Sequence, residues 1–228
     1  MIDTLHFASI DSTSSEAGRQ LASGRLLPFA VTAGAQSSGR GRAGRSWISR
    51  AHVGLYVTIA VDADSLPSPL TIAPIAAGVG LCAWLRGLGI PAQLKWPNDL
   101  RVDGAKLGGI LCEASRWAVL IGVGINWLEA PRVPEQETTF AAAYRSDLKR
   151  PSELRGALVT ALHEGLMLWR REGSEAMRRR WFALAEQGDY SAGSLRGRLV
   201  GLAEDGALRL RDDAGVVHEI HAGDVGSR

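Results

Sequence analysis

The chain has 228 residues, 46% of them hydrophobic, which is enough to bury the core of one sizeable domain with a small appendage. Its formal net charge of +2 argues against a dedicated nucleic-acid binder, because such a protein needs a strong basic field. The one dense basic run, Arg178 to Arg180, precedes Trp181 in a helical pattern. We interpret it as the solvated face of a helix rather than as a nucleic-acid patch.

The two cysteines, Cys82 and Cys112, lie in apolar surroundings without a CxxC pair, and the five histidines show no metal-ligand spacing. We therefore expect reduced, buried thiols and no metal held by the protein itself. No apolar run reads as long enough to span a bilayer, and residues 1–6 do not resemble a signal peptide. These features predict a cytoplasmic protein with no membrane partner.

The N-terminal part of the chain predicts short strands around one helix. Residues 5–8 and 29–33 are strand-like, and between them Thr13 and Glu16 have the spacing of a capping box, which predicts a helix to about residue 23. Apolar and other side chains alternate along residues 55–61, which indicates a sheet strand.

The middle of the chain predicts a largely apolar helix over residues 69–88, followed by two strands near 107–114 and 117–123. Residues 152–171 carry apolar side chains on one helical stripe, and a further helix is predicted over 174–186.

After Gly188 the pattern changes to short strand-like pieces separated by the turn signals at 205–206 and 213–215. We therefore divide the chain into a larger domain, residues 1–187, and a small β domain, residues 188–228.

A glycine-rich, arginine-rich segment follows the second predicted strand. Gly39, Gly41 and Gly44 satisfy the pattern GxGxxG, but a dinucleotide-binding loop must open a helix, and this segment leads through Trp47 into a strand. A Walker loop also fails, because no Gly-Lys-Ser/Thr follows. Glycines let a backbone approach a ligand closely, and arginines bind carboxylate and phosphate oxygens. A basic surface turn is the alternative, but it would not explain Trp47.

A second segment, Lys95-Trp96-Pro97-Asn98-Asp99, precedes Lys106 and a pair of glycines. Residues 97–99 are a strong turn signal, so a plain hairpin explains them. Lys106 leads an apolar strand, where an ammonium is costly unless it meets an anion; a solvated strand end is the alternative. If that anion belongs to a ligand rather than to the core, loss of Lys106 should leave the stability of the fold almost unchanged.

Together and in this order, segments 39–47 and 95–111 resemble the catalytic module of biotin protein ligases. The resemblance extends from Phe7 to Val225. The match to the family's motifs is highly specific in the central segments and weak after Gly188. It implies an α+β fold with a mixed, antiparallel sheet flanked by helices, as in class II aminoacyl-tRNA synthetases. A small C-terminal SH3-like β-barrel would follow.

The resemblance implies an ATP-dependent biotin–[acetyl-CoA-carboxylase] ligase. Such an enzyme converts biotin and ATP to biotinyl-5′-AMP and pyrophosphate, then transfers biotin to a lysine of a biotin carboxyl carrier protein. Mg²⁺ would be held through the phosphates, and the chain would act as a monomer or a homodimer.

The resemblance also implies roles for individual residues. Lys106 would pair with the biotin carboxylate and then with phosphoryl oxygens, Arg42 would retain the adenylate, and Asp99 would orient the acceptor lysine or accept its proton. Trp47 would cover the adenine side. The residues implied to bind biotin or biotinyl-AMP are Ser12, Thr13, Ser14, Gln36, Gly39, Arg40, Gly41, Arg42, Trp47, Asn98, Lys106, Gly109 and Asn126. The family usually has asparagine where this chain has Ser14.

Two alternatives remain. A lipoate or octanoate ligase of the same superfamily would also use an adenylate and a carrier lysine, although the two segments favour biotin. A biotin-responsive repressor needs a DNA-binding domain, and ten residues before Asp11 are too few for a helix-turn-helix. We therefore expect a monofunctional enzyme with no nucleic-acid partner.

Overall fold

The computed structural model describes residues 2–115, 117–134, 136–223 and 225–227. The strands, in chain order, are β1 (Asp3–Phe7), β2 (Phe29–Ala33), β3 (Gly54–Asp62), β4 (Gln93–Lys95), β5 (Asp99–Val102), β6 (Ala105–Ala114), β7 (Ala118–Asn126), β8 (Asp189–Ala192), β9 (Leu195–Leu202), β10 (Leu208–Arg211), β11 (Val217–Ile220) and β12 (Gly226–Ser227). The α-helices are α1 (Thr13–Ala22), α2 (Ala73–Gly87) and α3 (Pro151–Leu184).

The first seven strands form one sheet in the order β1-β2-β3-β7-β6-β5-β4. β1 and β2 are parallel, and every other neighbouring pair is antiparallel. The sheet is therefore mixed and mainly antiparallel, as the resemblance implies.

Helices cover both faces of this sheet. Because side chains alternate between faces along a strand, Ala30 and Ile59 enter the large core with α2 and α3, while Val31 and Ala60 enter a smaller cluster under α1. The structure thus has a helix–sheet–helix arrangement, and the α1 side carries the smaller apolar cluster.

The apolar segment Leu70–Gly87 corrects one sequence expectation. It has a mean hydropathy of 1.4, so by length and composition it could cross a membrane. In the structure 56% of the segment is buried, and α2 crosses α3 so closely that a Cβ on Gly80 would lie 2.5 Å from the carbonyl oxygen of Ala161. Its all-round apolarity is explained by burial between α3 and the sheet.

The start of α1 also differs in detail from the prediction. The N-cap is Ser12, whose side chain accepts from the backbone N–H of Ser15, rather than Thr13. Asp11 accepts from the Ser12 N–H at 2.7 Å and pairs with Arg19. The arginine holds the pKa of the Asp11 carboxyl at about 2, well below its usual 3.8.

The two predicted C-terminal helices form one element, α3, that breaks at Gly173, where φ is 81°. This is the left-handed region that favours glycine, so the break falls between the two predicted segments. The basic run lies after the break: Arg179 pairs with Glu175, and Arg180 with Glu172, on exposed helix surface.

β8 to β12 form a second, antiparallel sheet in the order β11-β10-β9-β8-β12, as expected for a small β unit. The predicted turns at 205–206 and 213–215 join β9 to β10 and β10 to β11. A hydrogen bond of 3.0 Å from Trp96 Nε1 to the carbonyl of Gly206 ties this unit to the β4–β5 hairpin. The division of the chain at residue 188 stays a prediction.

Candidate active site

A cavity of about 630 Å³ lies on the α1 side of the large sheet. It is bounded by the start of α1, the loop 39–47, the β4–β5 hairpin, β6, β7 and the segment 131–138. The predicted site residues that line it are Ser12, Thr13, Ser14, Gln36, Arg40, Gly41, Arg42, Trp47, Asn98, Asp99, Lys106, Gly109 and Asn126. Gly39 does not line it.

The floor of the cavity is made of glycine. Gly109 of β6 pairs with Gly124 of β7, and on both strands the absent side chain leaves the sheet surface open. The indole of Trp47 lies against these positions: a Cβ on Gly109 would stand 3.4 Å from Trp47 Cζ3, and a Cβ on Gly124 would overlap the ring. Trp47 Nε1 is buried without a hydrogen-bond partner in the described part of the chain, so this N–H is free for a ligand.

The ammonium of Lys106 points into the cavity because β6 contains a bulge. The register places Leu100 opposite Gly108 but Arg101 opposite Lys106, so Leu107 is the extra residue. A bulge reverses the side to which the preceding residue points, and Lys106 therefore faces the same side as Gly109. Its Nζ lies 5.8 Å from the centre of the Trp47 ring, within range of a cation–π contact.

Lys106 meets its anion inside the protein. Its Nζ lies 2.8 Å from Asp99 Oδ1, and the two side chains are only 17% and 16% exposed. The sequence did not predict this internal partner, so we now expect loss of Lys106 to cost stability, contrary to the expectation from the sequence. Removing the lysine would leave a largely buried carboxylate without its partner.

The glycine–arginine loop is a small hairpin fastened to the sheet through Arg40. Arg40 Nη2 lies 2.5 Å from Glu113 Oε1 on β6, so its charge is already paired. Gly39 has a packing role: its carbonyl accepts from the Trp47 N–H at 2.8 Å, and a Cβ there would lie 2.9 Å from Ser49 Oγ. Arg42 makes a long bond of 3.3 Å to Asn98 Oδ1 and faces the cavity.

Hydroxyl and amide groups line the end of the cavity near α1. Gln36 Oε1 accepts from the N–H and the hydroxyl of Thr13, at 2.8 and 3.1 Å. Ser14 Oγ lies 3.2 Å from Thr58 Oγ1. This end is therefore polar but uncharged.

The side chains of Asn98 and Asn126 hold the walls of the cavity in place through hydrogen bonds to backbone carbonyls. Asn98 Nδ2 donates to the carbonyl of Ile110 at 2.7 Å, which locks the hairpin onto β6. Asn126 Nδ2 donates to the carbonyl of Thr139 at 3.1 Å, beside the point where the Thr139 N–H donates to the carbonyl of Lys106. Both asparagines thus position the backbone around Lys106.

Several lining residues were not predicted to contact a ligand, and Lys95 and the segment 131–138 are two examples. Lys95, half-buried at the end of β4, faces the cavity, and burial is the main cause that lowers the pKa of its ammonium. The segment 131–138 contributes Pro131, Val133 and Thr138. Lys95 belongs to a segment that the sequence singled out, whereas 131–138 carries no motif.

The charge of the cavity is strongly one-sided. Its described lining residues carry one carboxylate, that of Asp99, and five cations, those of Arg40, Arg42, Arg45, Lys95 and Lys106. Of these, Arg40 is paired with Glu113 and Lys106 with Asp99. In a chain with a net charge of only +2, this concentration favours an anionic ligand. The described residues contain no cluster of three or more His, Cys, Asp and Glu able to hold a metal.

Comparison with known proteins identifies the family. The model of the biotin/lipoate A/B protein ligase family matches residues 8–127, and that of the biotin protein ligase C-terminal domain matches residues 189–226. The chain belongs to the biotin/lipoate A/B protein ligase family.

Among curated relatives, the chain is 30% identical to a biotin–[acetyl-CoA-carboxylase] ligase of Mycobacterium tuberculosis, over 72% of this chain and 64% of that protein. It is 26% identical to the bifunctional ligase/repressor BirA of Bacillus subtilis, over 86% of this chain and 65% of that protein. The chain therefore spans less than two thirds of these relatives. A biotin–[acetyl-CoA-carboxylase] ligase of Paracoccus denitrificans matches at 28% identity, over 91% of this chain and 94% of its own length.

The fold matches that of a biotin protein ligase from Aquifex aeolicus, solved in complex with biotin and ATP. The TM-score is 0.83 at 24% identity, and the match covers 100% of this chain and 99% of the other. The mixed sheet and the small C-terminal sheet are thus a known architecture.

Proposed function

We propose that this member of the family is a biotin–protein ligase that activates biotin with ATP and transfers it to a lysine of a biotin carboxyl carrier protein. The observation that carries the proposal is the cavity itself, where a cationic wall adjoins an uncharged polar end. Biotin has a carboxylate at one end and a neutral ring at the other, and ATP brings further negative charge. The names of the Mycobacterium and Paracoccus relatives support the same activity.

In the first step, a carboxylate oxygen of biotin attacks the α-phosphorus of ATP, and the bond to the departing pyrophosphate breaks. Both reactants are anions, so the site must hold fixed cations where their charges meet. Lys106 and Arg42 face the cavity and would do this, with Lys106 exchanging Asp99 for the incoming oxygens. A preorganised donor of this kind typically contributes about 10²–10³ in rate.

In the second step, the amine of the carrier lysine attacks the acyl carbon, AMP leaves, and the nitrogen loses a proton. Asp99 is the carboxylate in the described lining, and once Lys106 has turned to the phosphate it could accept that proton or orient the amine. Water would hydrolyse the mixed anhydride, and the loop 39–47, which lines the cavity, would help to exclude it.

Mg²⁺ that accompanies ATP would be held by the phosphates of the nucleotide and would neutralise part of their charge. We further propose that the acceptor is a biotin carboxyl carrier protein. The enzyme would act in the cytoplasm as a monomer or a homodimer.

The transfer step is tested by incubating the chain with ATP, biotin and a purified biotin carboxyl carrier domain. Mass spectrometry should show one biotinyl group on one lysine of the carrier. A carrier whose target lysine is changed to arginine should stay unmodified, and lipoyl-accepting domains should not be labelled. In a parallel reaction with lipoate or octanoate in place of biotin, modification of a lipoyl domain would instead make the chain a lipoate or octanoate ligase.

A further inference from the structure

Thr58 is a fully buried residue in the middle of β3 that no motif marks. It does not line the cavity, yet its hydroxyl contacts two hydroxyls that do. Thr58 Oγ1 lies 2.9 Å from Thr13 Oγ1 and 3.2 Å from Ser14 Oγ. A buried hydroxyl that bridges two ligand-facing hydroxyls can decide which way their protons point.

The direction of these bonds is set at Gln36. The backbone N–H of Thr13 points at the Gln36 side chain at 2.8 Å, and because an N–H must meet an acceptor, the atom there is the carbonyl oxygen Oε1. The Thr13 hydroxyl, 3.1 Å from the same oxygen, must therefore donate to it. The Thr13 hydroxyl therefore has no proton left to donate to another partner.

The remaining bonds follow, because each hydroxyl has a single proton. Thr13 has no proton left for Thr58, so Thr58 donates to Thr13. Thr58 then has none left for Ser14, so Ser14 donates to Thr58. Both cavity-facing hydroxyls, Thr13 and Ser14, are left with free lone pairs and no free proton.

We propose that Thr58 is a positioning residue that keeps Thr13 and Ser14 as hydrogen-bond acceptors toward the N–H groups of the cyclic urea of biotin. The inference rests on the proposed function, which already names biotin, and it adds a residue behind the cavity wall that sets the direction of these hydrogen bonds. A urea presents two N–H donors beside one carbonyl acceptor. The ring of lipoate and the chain of octanoate carry no N–H and would leave both acceptors unsatisfied, which costs affinity.

Two neighbouring features fit a urea. The hydroxyl of Ser12 accepts the N-cap bond, so its own proton is available to a carbonyl oxygen. A Cβ on Gly122 would lie 2.7 Å from Ser14 Oγ and 3.3 Å from Thr58 Oγ1, so a side chain there would cover the hydroxyl pair. Glycine at this position leaves Ser14 open to the cavity.

The test is calorimetric binding of three acids to the whole chain: biotin, desthiobiotin, which keeps the urea, and a thiolane-pentanoic acid, which lacks it. Thr58→Val keeps the shape of the side chain but removes its hydrogen bonds to Thr13 and Ser14. The hydroxyl proton of Ser14 is then free to point toward the ligand, where it would repel an N–H group. We expect the Kd for biotin and desthiobiotin to rise about 5- to 10-fold, the usual effect of one neutral hydrogen bond. The Kd for the urea-free acid should stay the same, and Thr58→Ser should restore biotin binding.

Thr32→Val is the matched control, because Thr32 is an equally buried hydroxyl on the adjacent strand that bonds to Leu5 and His6 instead. If Thr58→Val does not fold, Ser14→Ala should show the same urea-selective loss. Equal weakening of all three acids, or no weakening, would overturn the inference while leaving the proposed function intact. Failure of the unmodified chain to bind biotin would overturn both.

Discussion

Lys106 and Asp99 form an ion pair between β6 and β5, with 2.8 Å between Nζ and Oδ1, inside a cavity that is otherwise rich in cations. In the absence of an anionic ligand, Asp99 satisfies the charge that the bulge at Leu107 turns into the cavity. A carboxylate or phosphate that enters the site can replace it. The pair therefore links the stability of the protein to its chemistry.

Lys106→Ala should lower biotin-dependent pyrophosphate exchange by about 10²-fold or more, since it removes a donor that acts in the transition state. It should also destabilise the ligand-free protein by about 1–3 kcal/mol, the usual cost of a buried group left without its partner. Chemical denaturation measures the second effect. In the double variant with Asp99→Asn, stability should recover and exchange should not. Near-normal exchange by Lys106→Ala would make the lysine a purely structural ion-pair partner.

Arg42→Gly should form the adenylate more slowly than the unmodified chain and should release what it forms, because the guanidinium faces the cavity and holds Asn98 only weakly at 3.3 Å. After gel filtration, less biotinyl-AMP should travel with the variant than with the unmodified chain, and bystander proteins should be labelled. Arg50→Gly is the matched control, because Arg50 pairs with Glu129 and does not belong to the described cavity lining. Equal retention by both variants would remove Arg42 from this role.

Glu113→Gln should loosen the glycine–arginine loop, because it removes the charge that holds Arg40. We expect trypsin to cleave within residues 39–47 several-fold faster, while cleavage elsewhere stays constant. The charge-exchanged pair Arg40→Glu with Glu113→Arg should restore protection at Arg42 and Arg45 relative to either single exchange. If Glu113→Gln is cleaved no faster than Glu129→Gln, the ion pair does not hold the loop.

The pH dependence of stability should carry a contribution from Asp11. Its pKa is held at about 2 in the folded chain, mainly by Arg19, and is near 3.8 without these partners. A carboxyl with a depressed folded pKa stabilises the protein above its unfolded pKa and loses that effect as pH falls toward the folded value. Asp11→Asn should therefore be less stable than the unmodified chain at pH 6, and the difference should shrink steadily between pH 4 and pH 2. A difference independent of pH would show that the ion pair contributes nothing to folding.

The sequence predicted most of the elements, and the resemblance predicted many of the residues that line the cavity, because both rest on local signals. The two motif segments bring Arg42, Trp47, Asn98, Asp99 and Lys106 to one cavity. The alternation in β3 and the helical stripe of α3 are similarly visible in short windows.

The features that could not be predicted from the sequence depend on contacts between residues that are far apart in the chain. Arg40 lines the cavity, and its role at the ligand stays a prediction, but its ion pair with Glu113, 73 residues away, was not visible in the sequence. Gly39 was expected to bind the ligand because it belongs to the motif, whereas it packs against the loop. Thr58 acquires its role from Thr13, 45 residues earlier, and the bulge that turns Lys106 inward appears only when β5 and β6 are paired.

The central claim is that this cavity joins biotin to AMP, and ATP–pyrophosphate exchange with the unmodified chain tests it most directly. The exchange should require biotin, and lipoate and octanoate at the same concentration should support it at least about 10²-fold less well, because their head groups leave buried acceptors unpaired. Exchange driven as well by lipoate or octanoate as by biotin, or no exchange with biotin, would contradict the claim.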